Sequence, residues 1–196
     1  MTNVESKLNT QSEPHESTED STFVSLGLVN PKTPVNVAGI MRACGCYGVN
    51  QVFYTGNRYD FAVKAETQYE VDKKQAAKTI PLKGVESLLE QVPEGSKIIC
   101  VDLVVGATPL PEFTHPEQGF YIFGPEDGSI PQQLIDAADD VVYVPTKGCM
   151  NLAASVNVLL YDRLAKSTVH QTDDQLIQKS RDTNNRTRVK HWLKKS

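Results

Sequence analysis

Three short stretches combine glycine or proline with side chains able to hold a ligand: Asn30-Pro31-Lys32-Thr33-Pro34-Val35-Asn36, Phe123-Gly124-Pro125-Glu126-Asp127-Gly128, and Pro145 to Asn151. In the second, Glu126 lies in a turn framed by Gly124 and Gly128, where the backbone can approach a bound molecule closely. Asn36 and Asn151 each stand where a helix is expected to begin, so each can cap that helix, and Arg42 follows on the first of them. Other chemistries have little support. Cys44, Cys46, Cys100 and Cys149 form no CxxC pair and have no histidine at ligand spacing, so no metal site is expected. On a helix Cys44 and Cys46 point about 200° apart, and all four cysteines are expected to be reduced and mostly buried. His115, His170 and His191 belong to no constellation and are expected to be exposed. Neither GxGxxG after a strand nor GxxxxGK[ST] occurs, which disfavours dinucleotide oxidoreductases and P-loop enzymes.

Elements that could position these stretches alternate along the chain. Strands are expected at Phe23–Val29, Gln51–Tyr54, Lys97–Val105, Gly119–Phe123 and Asp140–Val144, and helices at Val35–Tyr47, Val85–Val92, Pro131–Ala138 and Asn151–Lys166. Residues 58–78 are polar and fit neither template. The strands are too apolar to be exposed on one face, and with the alternating order this predicts an α/β fold with a mainly parallel sheet. In such sheets ligands collect at the carboxyl ends of the strands, where the three stretches fall. The helix Asn151–Lys166 is apolar on most faces, which fits burial in the core or against a second subunit.

With 196 residues, 39% of them hydrophobic and 22% charged, the chain can build one core without disulfides. Its longest apolar stretch, Leu152 to Tyr161, is far shorter than the roughly 20 residues of a membrane helix. The start has no apolar core behind basic residues, which makes the cytoplasm the expected compartment. The net charge of −4 is unevenly spread: residues 1–20 carry −4, residues 179–195 carry +6, and the rest −6. We expect a disordered acidic leader over 1–20, one folded α/β domain over 21–167 and a basic extension over 168–196, the last either contacting nucleic-acid phosphates or solubilising a helix end.

The three stretches resemble the three signature motifs of the SpoU, or TrmH-like, branch of the SPOUT RNA methyltransferases. Pro34-Val35-Asn36-Val37-Ala38-Gly39-Ile40-Met41-Arg42, with Gly48 beyond, resembles the family's Asn…Arg…Gly pattern. Phe123-Gly124-Pro125-Glu126-Asp127-Gly128 resembles its Phe-Gly-Pro-Glu-x-x-Gly, one residue shorter. Val144-Pro145 to Cys149-Met150-Asn151-Leu152, followed by Tyr161-Asp162, resembles its Ile-Pro, Ser-(Leu/Met)-Asn and Leu-Tyr-Glu elements. The family's Ser is Cys149 here, the loop before Asn151 is short, and Ala38-Gly39 stands for the family's Gly-Asn.

The resemblance implies a trefoil knot at the carboxyl end of the sheet, an S-adenosylmethionine site within it, a homodimer, and methyl transfer to a ribose 2'-hydroxyl of RNA, tRNA in preference to rRNA. An rRNA 2'-O-methyltransferase and a catalytically silent knotted RNA-binding or assembly protein are the alternatives. It implies catalytic roles for Arg42, Asn36, Glu126 and Asn151, and a cofactor pocket lined by Leu103, Gly124, Val144, Cys149, Met150 and Leu152. A guanidinium hardly deprotonates in a protein, so the role it implies for Arg42 is to grip the target phosphate or ribose and stabilise developing alkoxide charge. Glu126 is expected to pair with Arg42 or Asn36.

Overall fold

The computed structural model describes residues 22–65, 80–167 and 174–180. The acidic leader, residues 66–79 and most of the basic extension lie outside them. Seven strands form one sheet: β1 (Phe23–Leu28), β2 (Gln51–Tyr54), β3 (Leu82–Gly84), β4 (Lys97–Val101), β5 (Thr108–Pro109), β6 (Gln118–Phe123) and β7 (Asp140–Tyr143). Their order is β3-β2-β1-β6-β4-β7-β5, and every pairing is parallel. The helices are α1 (Pro34–Tyr47), α2 (Arg58–Ala65), α3 (Gln132–Ala137), α4 (Leu152–Lys166) and α5 (Asp174–Ser180).

The sheet is buried on both faces: β4 and β6 carry apolar side chains at odd and even positions alike, and β1 alternates Val24, Leu26 and Leu28 with the small Ser25 and Gly27. Leu26, Leu28, Tyr121, Phe123, Ile99 and Val101 face one way, against Val37, Ile40, Met41 and Cys44 of α1 and Leu152, Val156, Leu159 and Leu160 of α4. Phe120, Ile122, Cys100 and Phe53 face the other way, against Leu88, Ile130 and the α3 residues Leu134 and Ile135. α1 and α4 pack closely on each other, and a Cβ at Gly39 would come within 3.2 Å of the Ala153 methyl group. Glycine there lets the two helix starts approach, bringing the first and third motifs together.

α1 starts one residue earlier than expected, with Pro34 in its first turn, a position that suits proline because the missing N–H has no partner there anyway. Thr33 is the residue before the helix and its side chain makes no capping bond. Asn36 is therefore not a cap but lies inside the first turn, and its side chain is used elsewhere. The helix ends at Gly48, at φ 69° in the left-handed region, with its N–H bonded to the Cys44 carbonyl. Asn151 does cap α4: its Oδ1 accepts the N–H groups of Ala153 (2.9 Å) and Ala154 (3.3 Å).

Three further expectations need correction. The helix expected at Val85–Val92 is only a single 3-10 turn at Leu89–Gln91, preceded by the short strand β3. Its anchor, Leu88, is buried, but Pro93 follows at once and leaves no room for a second turn. The strand expected to reach Val105 stops at Val101, because the next residue, Asp102, folds its carboxylate onto the Leu103 N–H (2.7 Å) and diverts the backbone from the ladder.

The third is His115, which is buried, with 5% of its side chain exposed. Its Nδ1 lies 2.8 Å from the Tyr121 hydroxyl and its Nε2 2.9 Å from Asp162. Arg163 donates to the same hydroxyl (3.0 Å) and to the carbonyls of Pro116 and Glu117, while Lys166 donates to those of Leu110 and Phe113 and pairs with Asp162 at 2.7 Å. Arg163 can only donate, which leaves the Tyr121 proton available to His115 Nδ1, and in the neutral ring that burial favours this arrangement puts the ring's own proton on Nε2 toward Asp162. Burial holds its pKa below the usual 6.5, Arg163 and Lys166 add to that, and Asp162 opposes it. Burial also pushes the Tyr121 hydroxyl up to about 12. The network clasps the end of α4 to residues 110–117, at the end of α4 away from Asn151.

Candidate functional site

At the carboxyl ends of β4, β6 and β7 lies a cavity of about 420 Å³. Leu103, Gly124, Val144, Cys149, Met150 and Leu152 all line it, as do Glu126 and Asp127. Beside it the three motifs are joined by one chain of hydrogen bonds. Glu126 accepts the N–H groups of Lys32 (2.9 Å) and Thr33 (3.0 Å) and the Asn36 amide (3.1 Å). Asn36 in turn accepts, through Oδ1, the Asn151 Nδ2 at 2.9 Å.

The direction of this chain follows from chemistry. An ionised carboxylate only accepts, so the Asn36 NH2 must face Glu126 and its oxygen must face Asn151. Asn151 meets that demand because its own oxygen is occupied by the first N–H groups of α4. Burial would raise the pKa of Glu126, but the bonds from Asn36, Lys32 and Thr33 prevail and hold it below the usual 4.5. The positive end of the α1 dipole adds to the stability of that charge.

Among the described residues the donors to Glu126 are Lys32, Thr33 and Asn36, not Arg42. Arg42 is exposed on α1, six residues and so about 240° of helix rotation beyond Asn36. The structure thus brings Asn36, Glu126 and Asn151 together and sets Arg42 on another side of the same helix.

Two further residues escaped the sequence reading. Asp102 uses its second oxygen to accept the Ile130 N–H at 2.8 Å, tying the exit of β4 to the segment after the second motif across the cavity. Its only local signal is an acid directly after an apolar strand. Arg58 forms a two-pronged pair with Asp127, both contacts 2.9 Å, and this pair, with Lys32 at 3.6 Å, holds the Asp127 carboxyl below its usual range. Of the cysteines only Cys44 and Cys100 are buried, with thiols pushed up to about 12 by burial, whereas Cys46 and Cys149 are exposed. Among the described residues no three metal-binding side chains gather, and no helix is long and apolar enough to cross a membrane.

Residues 24–161 match the SpoU rRNA Methylase family. The chain belongs to this family of RNA methyltransferases. Solved SpoU structures share its fold. The TrmH/SpoU tRNA modifying enzyme of A. aeolicus superposes with a TM-score of 0.61 at 16% identity, over 73% of this chain and 74% of that one. A protein described for 2-OH methylation of C/U34 on tRNA gives 0.62 at 20% identity, over 74% of this chain and 91% of that one. The SpoU methyltransferase AviRb of Streptomyces viridochromogenes, in complex with AdoMet, gives 0.60 at 16%, over 76% and 61%. No curated protein sequence matches the chain significantly.

Proposed function

We propose that this SpoU methylase transfers a methyl group from S-adenosylmethionine to a ribose 2'-hydroxyl of RNA, tRNA in preference to rRNA, and acts as a homodimer. The observation that carries this reading is the cavity at the strand ends, with the Asn151–Asn36–Glu126 chain on its rim. Its lining suits an adenosine: Leu103, Val144, Met150 and Leu152 offer apolar surface, and the loop backbone at Gly124 and Cys149 offers hydrogen-bonding groups. Space at Gly124 is limited, since a Cβ there would lie 3.3 Å from the Ile130 nitrogen. When bound, the cofactor supplies an electrophilic methyl group on a sulfonium.

The work left to the chain is to place a hydroxyl in line and to stabilise the charge it develops. Asn36, Glu126 and Asn151 hold the first and third motifs in register and Glu126 fixes the charge of that rim. Arg42, on another side of α1, grips a phosphate or the developing alkoxide with its planar fork. The tRNA preference rests on the relative described for tRNA 2-OH methylation, most of whose length this chain spans. For the homodimer, α4 exposes Val158, Tyr161 and Leu164 at helical spacing, and α1 exposes Val35.

Calorimetry with S-adenosylmethionine and single-turnover transfer of labelled methyl to bulk tRNA test the reading. Arg42→Ala is expected to slow transfer by at least about 100-fold, roughly 3 kcal/mol, with cofactor affinity kept. Nuclease digestion is expected to leave a 2'-O-methyl dinucleotide. Methyl on a base, or absence of cofactor binding at millimolar concentration, overturns it.

A further inference from the structure

We propose that the outer side of α2 is a platform on which an unpaired nucleotide of the RNA, flanking the methylated one, stacks against Phe61, with Lys64 and Lys32 as phosphate contacts. This rests on the RNA-methyltransferase reading of the adjoining cavity. α2 buries none of its residues fully, and the one apolar side chain it packs against the core is Tyr59. It is held at two points. On its inner side the Tyr59 ring meets Tyr54 edge to face at 5.2 Å, and Asp60 accepts the Tyr54 hydroxyl at 2.7 Å. At its start Arg58 grips Asp127, the neighbour of Glu126. Anchored in this way, the helix stands beside the site, tied to its lining residue Asp127.

What it presents outward is one aromatic ring among cations. Phe61 lies one turn beyond Arg58 and is 63% exposed, and Lys64, a further turn on, is exposed as well. Lys32 is 60% exposed, and the Asp127 oxygens it approaches at 3.6 Å are already engaged by Arg58. A single exposed phenylalanine signifies little by itself. Beside a cavity for methyl transfer and flanked by lysines, it matches the pairing that single-stranded RNA requires: a flat apolar face for a base and positive charge for the backbone. A duplex keeps its bases stacked inside and has nothing to offer Phe61.

The test uses the full chain and two fluorescent probes of about ten nucleotides, single-stranded oligouridylate and an RNA duplex of equal length, followed by anisotropy. Phe61→Ala is expected to weaken binding of the single strand by about tenfold while leaving the duplex unchanged, and Phe61→Trp to restore it. Lys64→Ala is expected to flatten the slope of log affinity against log salt by about 0.7. Wild-type binding by Phe61→Ala, equal loss on both probes, or no binding of oligouridylate to the wild type overturns the proposal. A change of mass in light scattering for Phe61→Ala also overturns it, by assigning the ring to self-association. Calorimetry with S-adenosylmethionine separates the failures: if cofactor binds and Phe61→Ala is silent, the platform alone is wrong, whereas absence of cofactor binding removes the reading of the cavity.

Discussion

Asn36 and Asn151, 115 residues apart, meet amide to amide at 2.9 Å, and each uses its other end for a task that fixes which atom faces which. Asn151 caps α4 and Asn36 serves Glu126, so the starts of two helices and the turn after β6 share one set of protons.

The two duties of Asn151 can be separated. Asn151→Asp keeps a capping oxygen but loses the donor to Asn36, so its melting temperature is expected to stay near wild type while single-turnover methyl transfer falls. Asn151→Ala loses both, with a destabilisation of about 1 kcal/mol in thermal melts.

Glu126 ties stability to acid pH. Its folded pKa lies below 4.5, so the stability it contributes is complete above that value and is lost as pH falls through the folded pKa. The gap in melting temperature between wild type and Glu126→Gln is expected to be widest near pH 7 and to close in strong acid. A gap independent of pH would show that the charge of Glu126 is not what holds the motifs.

His115 acts at higher pH. Its folded pKa lies below 6.5, so stability is complete above 6.5 and declines as pH falls through the folded value, when the ring must charge between Tyr121, Arg163 and Lys166, with Asp162 alone opposing. His115→Gln is expected to flatten the melting temperature between pH 7 and 5, where wild type declines. Parallel profiles would assign the decline to other groups.

The exposed stripe on α4 predicts self-association. Tyr161→Lys places a charge where Tyr161 is 62% exposed, beside Val158 and Leu164. Light scattering is expected to report a dimeric mass for wild type at micromolar concentration and a monomeric mass for the variant, with an unchanged circular dichroism spectrum.

β4 and β6 were legible from composition because strands buried on both faces carry apolar residues without alternation, β1 was legible from Val24, Leu26 and Leu28, and the loops after β1, β6 and β7 stood out for their glycine, proline and polar side chains. Asn36 misled, because asparagine before an apolar periodic run reads as a cap. The better signal was Thr33-Pro34, since proline marks a first turn. His115 and Arg58 had no local signal at all: the partners of His115 lie 6 and 47 residues away, and Asp127 lies 69 from Arg58. Short windows see periodicity and turns, whereas ion pairs and buried polar networks are made by the topology.

The position of β1 in the middle of the sheet sets a timetable for synthesis. One edge of β1 pairs with β6, and Leu28 finds its partner in Phe123, about 95 residues later. At ribosomal speeds of 5–20 residues per second, that edge waits roughly 5–20 s for its neighbour. Throughout that wait Val24, Leu26 and Leu28 belong to an unfinished strand whose open edge can pair with the wrong chain, and the helix that covers them, α4, emerges later still. The nascent chain is therefore expected to engage a holding chaperone until residues 152–166 are available, and stop codons placed between 60 and 120 to yield aggregates in place of a soluble half-sheet.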